Sequence, residues 1–386
     1  MESFDKLNLN SELLKGVYLY GFLKPSKIQI EGIEAINTKQ DCILQSQSGT
    51  GKTATYLLGV INNMNINNIS IIIVPTRELA EQVYNVAISL SKYTNFKIHK
   101  CIGGTNINET RNNMKISNLI IGTIGRINHM IEENKIQINK LNILIFDEAD
   151  NLLGDNNLDN INNIINKVDR KNIEQNINSN KNNIQFILIS ATIPLHIFTF
   201  SKKYMNNPIQ ILVNNENIIT DLISQFYINV EIEDQKFDTL LDLYSLVSTF
   251  QAIIFANTIA KVEYIENKLI ENNFTASLIH SNMAQTERDT ILLNFREGYT
   301  RILLTTDLLS RGIDIPQVNM VINYDIPVTH ETYVHRIGRC GRFDKKGIAI
   351  TLVKLKDTVD IKLFNKLKYY YKININEMPM DINSYL

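Results

Sequence analysis

The stretch that decides the fold is SQSGTGKT at residues 46–53, which directly follows the apolar run at residues 41–45. Its two glycines allow a tight turn in which successive backbone N–H groups converge on a phosphate. Lys52 supplies a positive charge for the β- and γ-phosphates, and the hydroxyl of Thr53 is suited to Mg²⁺. The helix that follows would direct its positive end at the same anion. Loops of this kind usually begin with glycine where this chain has Ser46, so the stretch alone also fits a glycine-rich turn without a ligand.

Short apolar runs rich in Ile, Val and Leu recur around this loop, and runs of this kind form the buried strands of parallel sheets. In the first half of the chain they occupy residues 42–44, 69–74, 119–121, 143–146, 186–189 and 209–213. A second series occupies residues 252–255, 277–279, 302–304, 320–323 and 348–353. Helical or loop segments separate them. This alternation predicts an α/β fold of two similar doubly wound parallel-sheet domains, of which the first carries the phosphate loop.

A change in composition sets the predicted domain boundaries. Polar residues interrupt the alternation after residue 213, so we predict an N-terminal domain at residues 1–213, a short linker at 214–223 and a C-terminal domain at 224–386. The asparagine-rich segment at residues 169–183 does not fit a compact domain, and we predict that it is a surface insertion.

The overall composition limits the function classes. A chain of 386 residues is long enough for two full cores, and 44% hydrophobic with 20% charged residues is typical of a soluble globular protein. The formal net charge of -1 excludes a polycation, so any nucleic acid must be held by local basic groups and backbone amides. Cys42, Cys101 and Cys340 lack metal-site spacing, which favours reduced thiols, and no apolar run is long enough to span a membrane.

A second chemical signal is Asp-Glu-Ala-Asp at residues 147–150, directly after the apolar run at 142–146. Carboxylates at the carboxyl end of a parallel strand face the crevice where ligands bind in open α/β sheets. An ATPase with a phosphate loop needs one acid for Mg²⁺, which suits Asp147, and a group that positions the attacking water, which suits Glu148. The alternative is an acidic helix N-terminus stabilised by the helix dipole, and the preceding strand and phosphate loop make it less favourable.

Together and in this order, these motifs resemble those of the DEAD-box RNA helicases, and the resemblance covers nearly the whole chain. It implies two tandem RecA-like domains and RNA-dependent hydrolysis of ATP, with Mg²⁺ as the metal. Upstream, GFLKPSKIQ at residues 21–29 is similar to the family's adenine-reading motif, in which Gln29 would pair with the adenine edge. The implied ATP-binding residues are Phe22, Lys24, Gln29, Ser48, Gly49, Thr50, Gly51, Lys52, Thr53, Asp314 and Phe343.

The resemblance also assigns the chemistry of hydrolysis. HRIGRCGR at residues 335–342 is similar to the motif that supplies arginine fingers, so Arg339 and Arg342 would meet the γ-phosphate when the domains close. A solvated basic helix is the alternative. The implied catalytic residues are Lys52, Asp147, Glu148, Arg339 and Arg342, with Mg²⁺ held by Thr53 and, through water, by Asp147. The residues implied to couple the nucleotide state to the grip on RNA are Ser190, Thr192 and His335.

Contacts with the RNA backbone follow from the same resemblance. The implied RNA-binding residues are Pro75, Thr76, Arg77, Gly103, Gly104, Thr123, Gly125, Arg126, Asn257, Thr258, Gln285, Arg288, Thr306 and Arg311. The chain departs from the family pattern at Ile124, which replaces proline, at Ile259, which replaces a basic residue, and at Asp344, which replaces glycine. We expect the first two changes to weaken RNA contacts.

Within the family the chain most resembles the branch of translation initiation factor 4A and its close nuclear relatives, through features such as QAIIFANT at residues 251–258. This branch implies local unwinding of RNA by ATP-driven closure of two lobes on a single strand, in translation initiation. The alternative is an ATP-locked RNA clamp in exon-junction or ribosomal RNA processing complexes. The implied partners are single-stranded RNA and scaffold or initiation-factor proteins. The branch also implies a monomer that does not associate with a membrane and that acts in the cytoplasm or, alternatively, in the nucleus.

Overall fold

The computed structural model describes residues 3–47, 49–154, 157–176, 184–213, 218–247, 251–307, 318–341 and 345–379, with the side chains of 169–176 and 244–247 left undescribed. Apart from residues 47–49, which are grouped with the second unit, the chain divides between residues 212 and 213 into two compact units. Part of the predicted linker, residues 214–217, lies outside the described residues. Ile218 and Ile219, which follow it, are buried in a core of the second unit. The extent of the linker stays a prediction.

The first unit is a parallel sheet of seven strands with helices on both faces. Its strands are β1 (Cys42–Gln45), β2 (Ile69–Val74), β3 (Ile98–Cys101), β4 (Leu119–Thr123), β5 (Leu141–Asp147), β6 (Gln185–Ser190) and β7 (Ile209–Ile211). Its helices are α1 (Ser11–Leu19), α2 (Lys27–Asn37), α3 (Lys52–Asn63), α4 (Arg77–Leu90), α5 (Ile107–Met114), α6 (Ile124–Glu132), α7 (Ala149–Leu152), α8 (Leu158–Asn176) and α9 (Leu195–Tyr204), with short 3₁₀ turns at Phe4–Lys6 and Ile138–Lys140.

The second unit repeats this plan. Its strands are β8 (Ile223–Asn229), β9 (Gln251–Phe255), β10 (Ser277–Ile279), β11 (Ile302–Thr305), β12 (Val318–Asn323), β13 (Gly347–Val353) and β14 (Asn376–Glu377). Its helices are α10 (Gln235–Val247), α11 (Ile259–Glu271), α12 (Gln285–Arg296), α13 (His330–Ile337) and α14 (Thr358–Tyr371).

Both sheets have the same strand order, which supports two domains of one kind. The first order is β3-β4-β2-β5-β6-β1-β7, and adding seven to each number gives the second, β10-β11-β9-β12-β13-β8-β14. The predicted pair of RecA-like doubly wound domains is therefore confirmed.

The sheets form because their central strands are apolar on both faces. In β2, all six residues of ISIIIV are buried, and two separate hydrophobic clusters pack on the two sides of the first sheet. Continuous apolar runs of this kind are typical of parallel strands covered by helices. Among the described residues, no helix combines the length and the apolar character needed to cross a membrane.

The polar segment predicted as an insertion begins inside a helix. Helix α8 runs on to Asn176, so residues 169–176 are helical, and residues 177–183 lie outside the described residues. Its first half places Ile161, Ile164, Ile165 and Val168 in the core at helical spacing. This buried stripe anchors the helix, and the polar segment extends it.

Candidate nucleotide site and nucleic-acid interface

Three motif-bearing loops meet at one edge of the first sheet. Strands β5, β6 and β1 are neighbours, with Asp147 opposite Ile189 and Gln45 opposite Ser190 in the register. Since all three strands are parallel, the loops that follow them leave from the same edge. The phosphate loop, the acidic motif and the Ser-Ala-Thr motif therefore lie side by side.

The phosphate loop has the backbone that its glycines were predicted to allow. Gly49 and Gly51 have φ angles of 79° and 95°, in the left-handed region that favours glycine. Lys52 begins α3, and its Nζ donates to the carbonyl oxygen of Ser46 at 2.8 Å, across the loop. The helix N-terminus and the lysine thus face the same loop, as an anion site requires. Ser48, a predicted ATP contact, lies outside the described residues.

The adenine-reading motif braces this loop. Gln29 accepts a hydrogen bond from the backbone N–H of Ser26 at 2.8 Å, and the Ser26 hydroxyl donates to the carbonyl of Thr50 at 2.9 Å. A Cβ added at Gly51 would lie 2.6 Å from Nε2 of Gln29, so a side chain there would displace the Gln29 amide, and the φ of 95° favours glycine at the same position. Phe22 packs against Phe4 with ring centroids 6.1 Å apart. Contacts of Phe22, Lys24 and Gln29 with adenine stay predictions.

The acidic motif places a buried carboxylate beside α3. Oδ1 of Asp147 accepts from the backbone N–H of Glu148 at 2.9 Å, and Oδ2 accepts from the Tyr56 hydroxyl at 2.8 Å. Burial, and then the charge of Glu148, raise the pKa of Asp147 to about 7, against the opposing effects of Tyr56 and Lys52. Burial and Asp147 likewise raise the pKa of Tyr56 well above its usual value, so the phenol remains a proton donor.

These oxygen groups fit a Mg²⁺ ion. The Tyr56 hydroxyl is hydrogen-bonded to Asp147, and Thr53 lies near enough to the same phenol to lower its pKa, which places the two predicted metal-binding residues on either side of one phenol. Carboxylate and hydroxyl oxygens are the hard ligands that Mg²⁺ prefers. The pKa of Asp147 is raised first by burial and then by the charge of Glu148, and a divalent cation would balance the negative charge of both carboxylates.

Glu148 has a strained backbone. Its φ of 51° and ψ of 50° lie in the left-handed region, where a residue with a Cβ is disfavoured by about 1–3 kcal/mol. Such strain clusters at functional sites because the surrounding structure fixes it there. The turn changes the chain direction between β5 and α7 and sets the Glu148 side chain at the strand end.

The Ser-Ala-Thr motif connects the acids to the phosphate loop. Thr192 donates from its hydroxyl to Oδ2 of Asp150 at 2.6 Å. On its other side, the carbonyl of Ser190 accepts from the backbone N–H of Ser46 at 3.3 Å. The hydrogen bonds run from the loop through β6 to the acidic motif, so a shift at one end disturbs the other. This is the connection that a coupling role for Ser190 and Thr192 requires.

Predicted RNA contacts of the first unit also come together. A Cβ added at Gly103 would lie 2.8 Å from Nη2 of Arg77, and one at Gly104, where φ is 83°, would lie 2.9 Å from Nη1. Pro75 and Thr76 lead into the helix that Arg77 begins, and the Thr76 side chain caps it. Two separate motifs therefore form one surface in which glycine leaves room for a guanidinium group.

The third RNA motif starts helix α6. Thr123 ends β4, and Ile124 is the first helical residue, followed by Gly125 and Arg126. Proline is favoured at a first helical position, but the buried Ile124 side chain anchors the same start in the core. Nη1 of Arg126 is buried and has no hydrogen-bond partner among the described residues. A phosphate would supply that partner.

In the second unit, a buried network joins the loops after β9 and β12 to α13. Arg336 is fully buried and donates to Asp307 at 2.6 Å, to the Asp325 carbonyl at 2.9 Å and to Oδ1 of Asn257 at 2.8 Å. The Asp325 carboxylate accepts from Lys236 at 3.0 Å and Lys261 at 2.9 Å. Burial would raise the pKa of Asp325, but Lys236 and its other partners hold it below the usual value.

This network uses a residue that was predicted to bind RNA. Nδ2 of Asn257 donates to the carbonyl of Ile326 at 3.0 Å, and its Oδ1 accepts from Arg336. The Asn257 amide therefore stabilises the loop that contains it. The next residue, Thr258, caps α11, which begins at Ile259. The Asn257 side chain is oriented by the protein at both ends, which leaves the neighbouring hydroxyl and backbone of this loop as the groups offered to a ligand.

The remaining predicted residues divide into two groups. Gln285 and Arg288 are hydrogen-bonded to each other at the start of α12, Thr306 follows β11, His335 lies in α13, and Nε of Arg339 donates to the His335 carbonyl at 3.1 Å. Arg311, Asp314, Arg342, Phe343 and the departure at Asp344 lie outside the described residues.

Sequence reasoning missed the role of Arg336. Its side chain is buried over the ring of Phe255, with the guanidinium carbon 5.3 Å from the centroid. The spacing of Arg336, Arg339 and Arg342 makes the three look alike in sequence. The helical spacing of apolar residues could have indicated this role, because Arg336 lies on the same buried helix face as Tyr333 and Ile337.

Replacing Arg336 by alanine should destabilise the second unit by about 2–4 kcal/mol, because it leaves buried acceptors without their donor. Urea unfolding of the full chain measures this change. As the control, Lys356→Ala removes an exposed pair with Glu231 and should leave the free energy of unfolding nearly unchanged. Equal effects of the two substitutions would contradict the structural role of Arg336.

The fold and the site define a two-domain ATPase core, and comparison with known proteins identifies its family. The model of the DEAD/DEAH box helicase family matches residues 26–199, and that of the helicase conserved C-terminal domain matches residues 235–344. The ATP-dependent RNA helicase eIF4A of Lodderomyces elongisporus is 43% identical over 99% of this chain and 93% of its own length. Eukaryotic initiation factor 4A of Caenorhabditis elegans is 41% identical over 99% of this chain and 92% of its own length.

A solved structure agrees with these sequence relatives. Dbp5 of S. cerevisiae, bound to RNA and ADP BeF3, has a TM-score of 0.90 and 32% identity, covering 100% of this chain and 97% of its own. The chain therefore belongs to the DEAD-box family of ATP-dependent RNA helicases, enzymes that hydrolyse ATP.

Proposed function

We propose that the chain binds Mg²⁺ and ATP at the strand-end loops of its first unit, and uses hydrolysis to separate short RNA duplexes in translation initiation. The observation that carries this proposal is the set of hydrogen bonds that connects the phosphate loop, the acidic motif and the Ser-Ala-Thr motif at the carboxyl ends of the strands. The relatives named as initiation factor 4A, matched over 99% of the chain, support the process.

The roles within the first unit follow from the positions of the side chains. Lys52, at the start of α3, would bind the β- and γ-phosphates, and Gln29 would read adenine beside the loop it braces. Thr53 and Asp147 would hold Mg²⁺, which supplies positive charge to the phosphate oxygens. Glu148, fixed by its strained backbone, would position the attacking water.

The second unit would complete the site. Arg339 and Arg342 would stabilise the charge that develops on the γ-phosphate, while Asp314 and Phe343 would contact the ribose and the adenine. Because such groups act only when the two domains close, hydrolysis becomes conditional on closure. RNA that favours the closed arrangement would raise the affinity for ATP, and ATP would raise the affinity for RNA by the same factor.

RNA would lie along groups of both units that contact its sugar-phosphate backbone. In the first unit, Arg77 with its adjoining glycines and Arg126 offer guanidinium groups to phosphates. In the second unit, Thr258 and Thr306 would offer hydroxyl groups. A bent single strand would fit such a surface and a stiff duplex would not, which would expel one strand locally. We propose that the chain works as a cytoplasmic monomer that scaffold or initiation-factor proteins recruit.

The test combines ATP turnover with strand separation. Single-stranded RNA should raise the rate of ATP hydrolysis, and a short RNA duplex should separate when ATP is added, whereas DNA of the same sequence should do neither because it lacks the 2′-OH. Removing Mg²⁺ with a chelator should abolish both activities. Slow hydrolysis with a long-lived ATP-dependent RNA complex, and no strand separation, would instead indicate a clamp.

A further inference from the structure

One buried group at the site has no part in the proposed function, namely the phenol of Tyr56. Tyr56 lies in the second turn of α3, its side chain is fully buried, and its hydroxyl donates to Oδ2 of Asp147 at 2.8 Å. An aromatic residue can fill this core position without any hydroxyl. The hydroxyl is placed at the carboxylate that the proposed function gives to Mg²⁺.

The same phenol is also close to the other proposed metal-binding group. Thr53 lies near the phenol and lowers its pKa, against the larger effects of burial and Asp147. Residues three apart in a helix lie on one face, so Thr53 and Tyr56 reach the end of β5 from the same side of α3. The phenol donates to Asp147 and so joins the helix that begins at the phosphate loop to the strand that carries the acid.

The Asp147 carboxylate is held at both oxygens. Oδ1 accepts from the backbone N–H of Glu148 at 2.9 Å, and Oδ2 accepts from Tyr56. With one donor on each oxygen, rotation of the carboxylate breaks a hydrogen bond. Loss of the phenol would free Oδ2 while the backbone bond to Oδ1 remained. The Tyr56 hydroxyl therefore fixes Oδ2 and, together with the backbone N–H of Glu148, the orientation of the Asp147 carboxylate.

We propose that Tyr56 is a positioning residue for Mg²⁺-ATP, which orients the Asp147 carboxylate beside Thr53 before the nucleotide and its metal arrive. The inference rests on the proposed function, since it assumes that these two groups meet the metal. Groups that orient metal-binding side chains typically change metal affinity by about 10–100-fold when they are removed. Here Asp147 keeps its second donor and the metal contact runs through water, so a smaller change is expected.

The test is Tyr56→Phe in the full chain, with Tyr333→Phe as the matched control. Tyr333 is also fully buried, and its hydroxyl donates to Oε1 of Gln225 at 2.8 Å in the second unit. Both substitutions delete one buried, hydrogen-bonded hydroxyl and keep the ring. Binding of a fluorescent ATP analogue is titrated at a series of Mg²⁺ concentrations and also in a chelator, and thermal unfolding monitors the fold of each variant.

Tyr56→Phe should raise the Mg²⁺ concentration needed for half-maximal nucleotide binding by about three- to tenfold, as expected for the net contribution of one typical hydrogen bond. Nucleotide binding in the chelator should not change, and Tyr333→Phe should leave the Mg²⁺ dependence at the wild-type value. A purely structural role would lower the unfolding temperature of both variants alike and leave the Mg²⁺ dependence untouched.

An unchanged Mg²⁺ dependence in Tyr56→Phe, with normal Mg²⁺-dependent binding by the wild type, overturns the positioning role alone. Absence of Mg²⁺-dependent nucleotide binding in the wild-type chain itself overturns the proposed function, and the inference with it. A Tyr56→Phe defect of equal size with and without Mg²⁺ also counts against the inference, because it places the effect on the nucleotide and not on the metal.

Discussion

Replacing Lys52 by alanine should abolish ATP turnover, lowering the rate by at least about 10²–10³-fold. The ammonium group stands at the first residue of α3 and reaches across the phosphate loop to the Ser46 carbonyl at 2.8 Å. It is therefore placed to bind the β- and γ-phosphates, where negative charge must be stabilised during transfer. Steady-state hydrolysis with saturating RNA measures the effect, and nucleotide binding should weaken as well.

Lys203→Ala is the matched control for this experiment. Lys203 lies in the last turn of α9, where its Nζ is 4.7 Å from the centroid of the Tyr204 ring and is exposed to solvent. Its removal deletes one lysine of the same unit and should leave turnover unchanged. Normal turnover by the Lys52 variant would remove the phosphate-loop assignment, and an equal loss in both variants would indicate a general effect of charge.

Strands such as β2 could be predicted from the sequence because strands buried on both faces of a sheet are apolar along most of their length. The run ISIIIV is apolar at every position except Ser70, and the structure buries every one of its residues in β2. Strands β3, β8 and β14 were missed. In β3, at the edge of the first sheet, His99 and Lys100 are half-exposed between the buried Ile98 and Cys101. In β8, which pairs on one side with the two-residue β14, only Ile223 and Phe226 are buried. Edge strands carry less of the apolar signal on which the prediction depends.

Which loops meet at the site could be predicted in part. The acidic motif follows a strand, and the carboxyl ends of parallel strands share one edge, so the phosphate loop and Asp147 were expected on the same side of the sheet. The strand order was not predictable from composition, although it places β6 between β5 and β1. That order brings Thr192 within 2.6 Å of Asp150.

Two residues show why side-chain roles were harder to predict than loops. Tyr56 is one more aromatic residue on an apolar helix face, and nothing in its spacing indicates that its hydroxyl meets Asp147. Arg336 stands in a motif with two similar arginines, yet it is buried and holds three acceptors of its own unit. The helix-face pattern could have placed Arg336 in the core, but local patterns do not identify the partners of either residue, such as Asp147 for Tyr56 and Asn257 for Arg336.

Replacing Glu148 by glutamine should lower RNA-stimulated hydrolysis by about 10²–10⁴-fold, the range for loss of a positioned acid–base group. Glutamine keeps the length and shape of the side chain at this left-handed position and removes its charge. ATP and RNA should still bind, so the variant should accumulate as a stable complex with both. Release of labelled RNA after a chase with unlabelled RNA measures the lifetime of this complex.

The same substitution should not destabilise the protein at neutral pH, and this separates catalysis from folding. Burial and the charge of Glu148 raise the pKa of Asp147 from the usual 3.8 to about 7, so the folded state loses stability as the pH rises through this window and Asp147 ionises. Removing the Glu148 charge lowers that pKa and shrinks the loss. The variant should therefore be at least as stable as the wild type near pH 8 when thermal unfolding is measured without nucleotide. Fast RNA release together with reduced stability would mean that Glu148 acts as a structural residue, because a group that only positions water contributes neither to folding nor to RNA affinity.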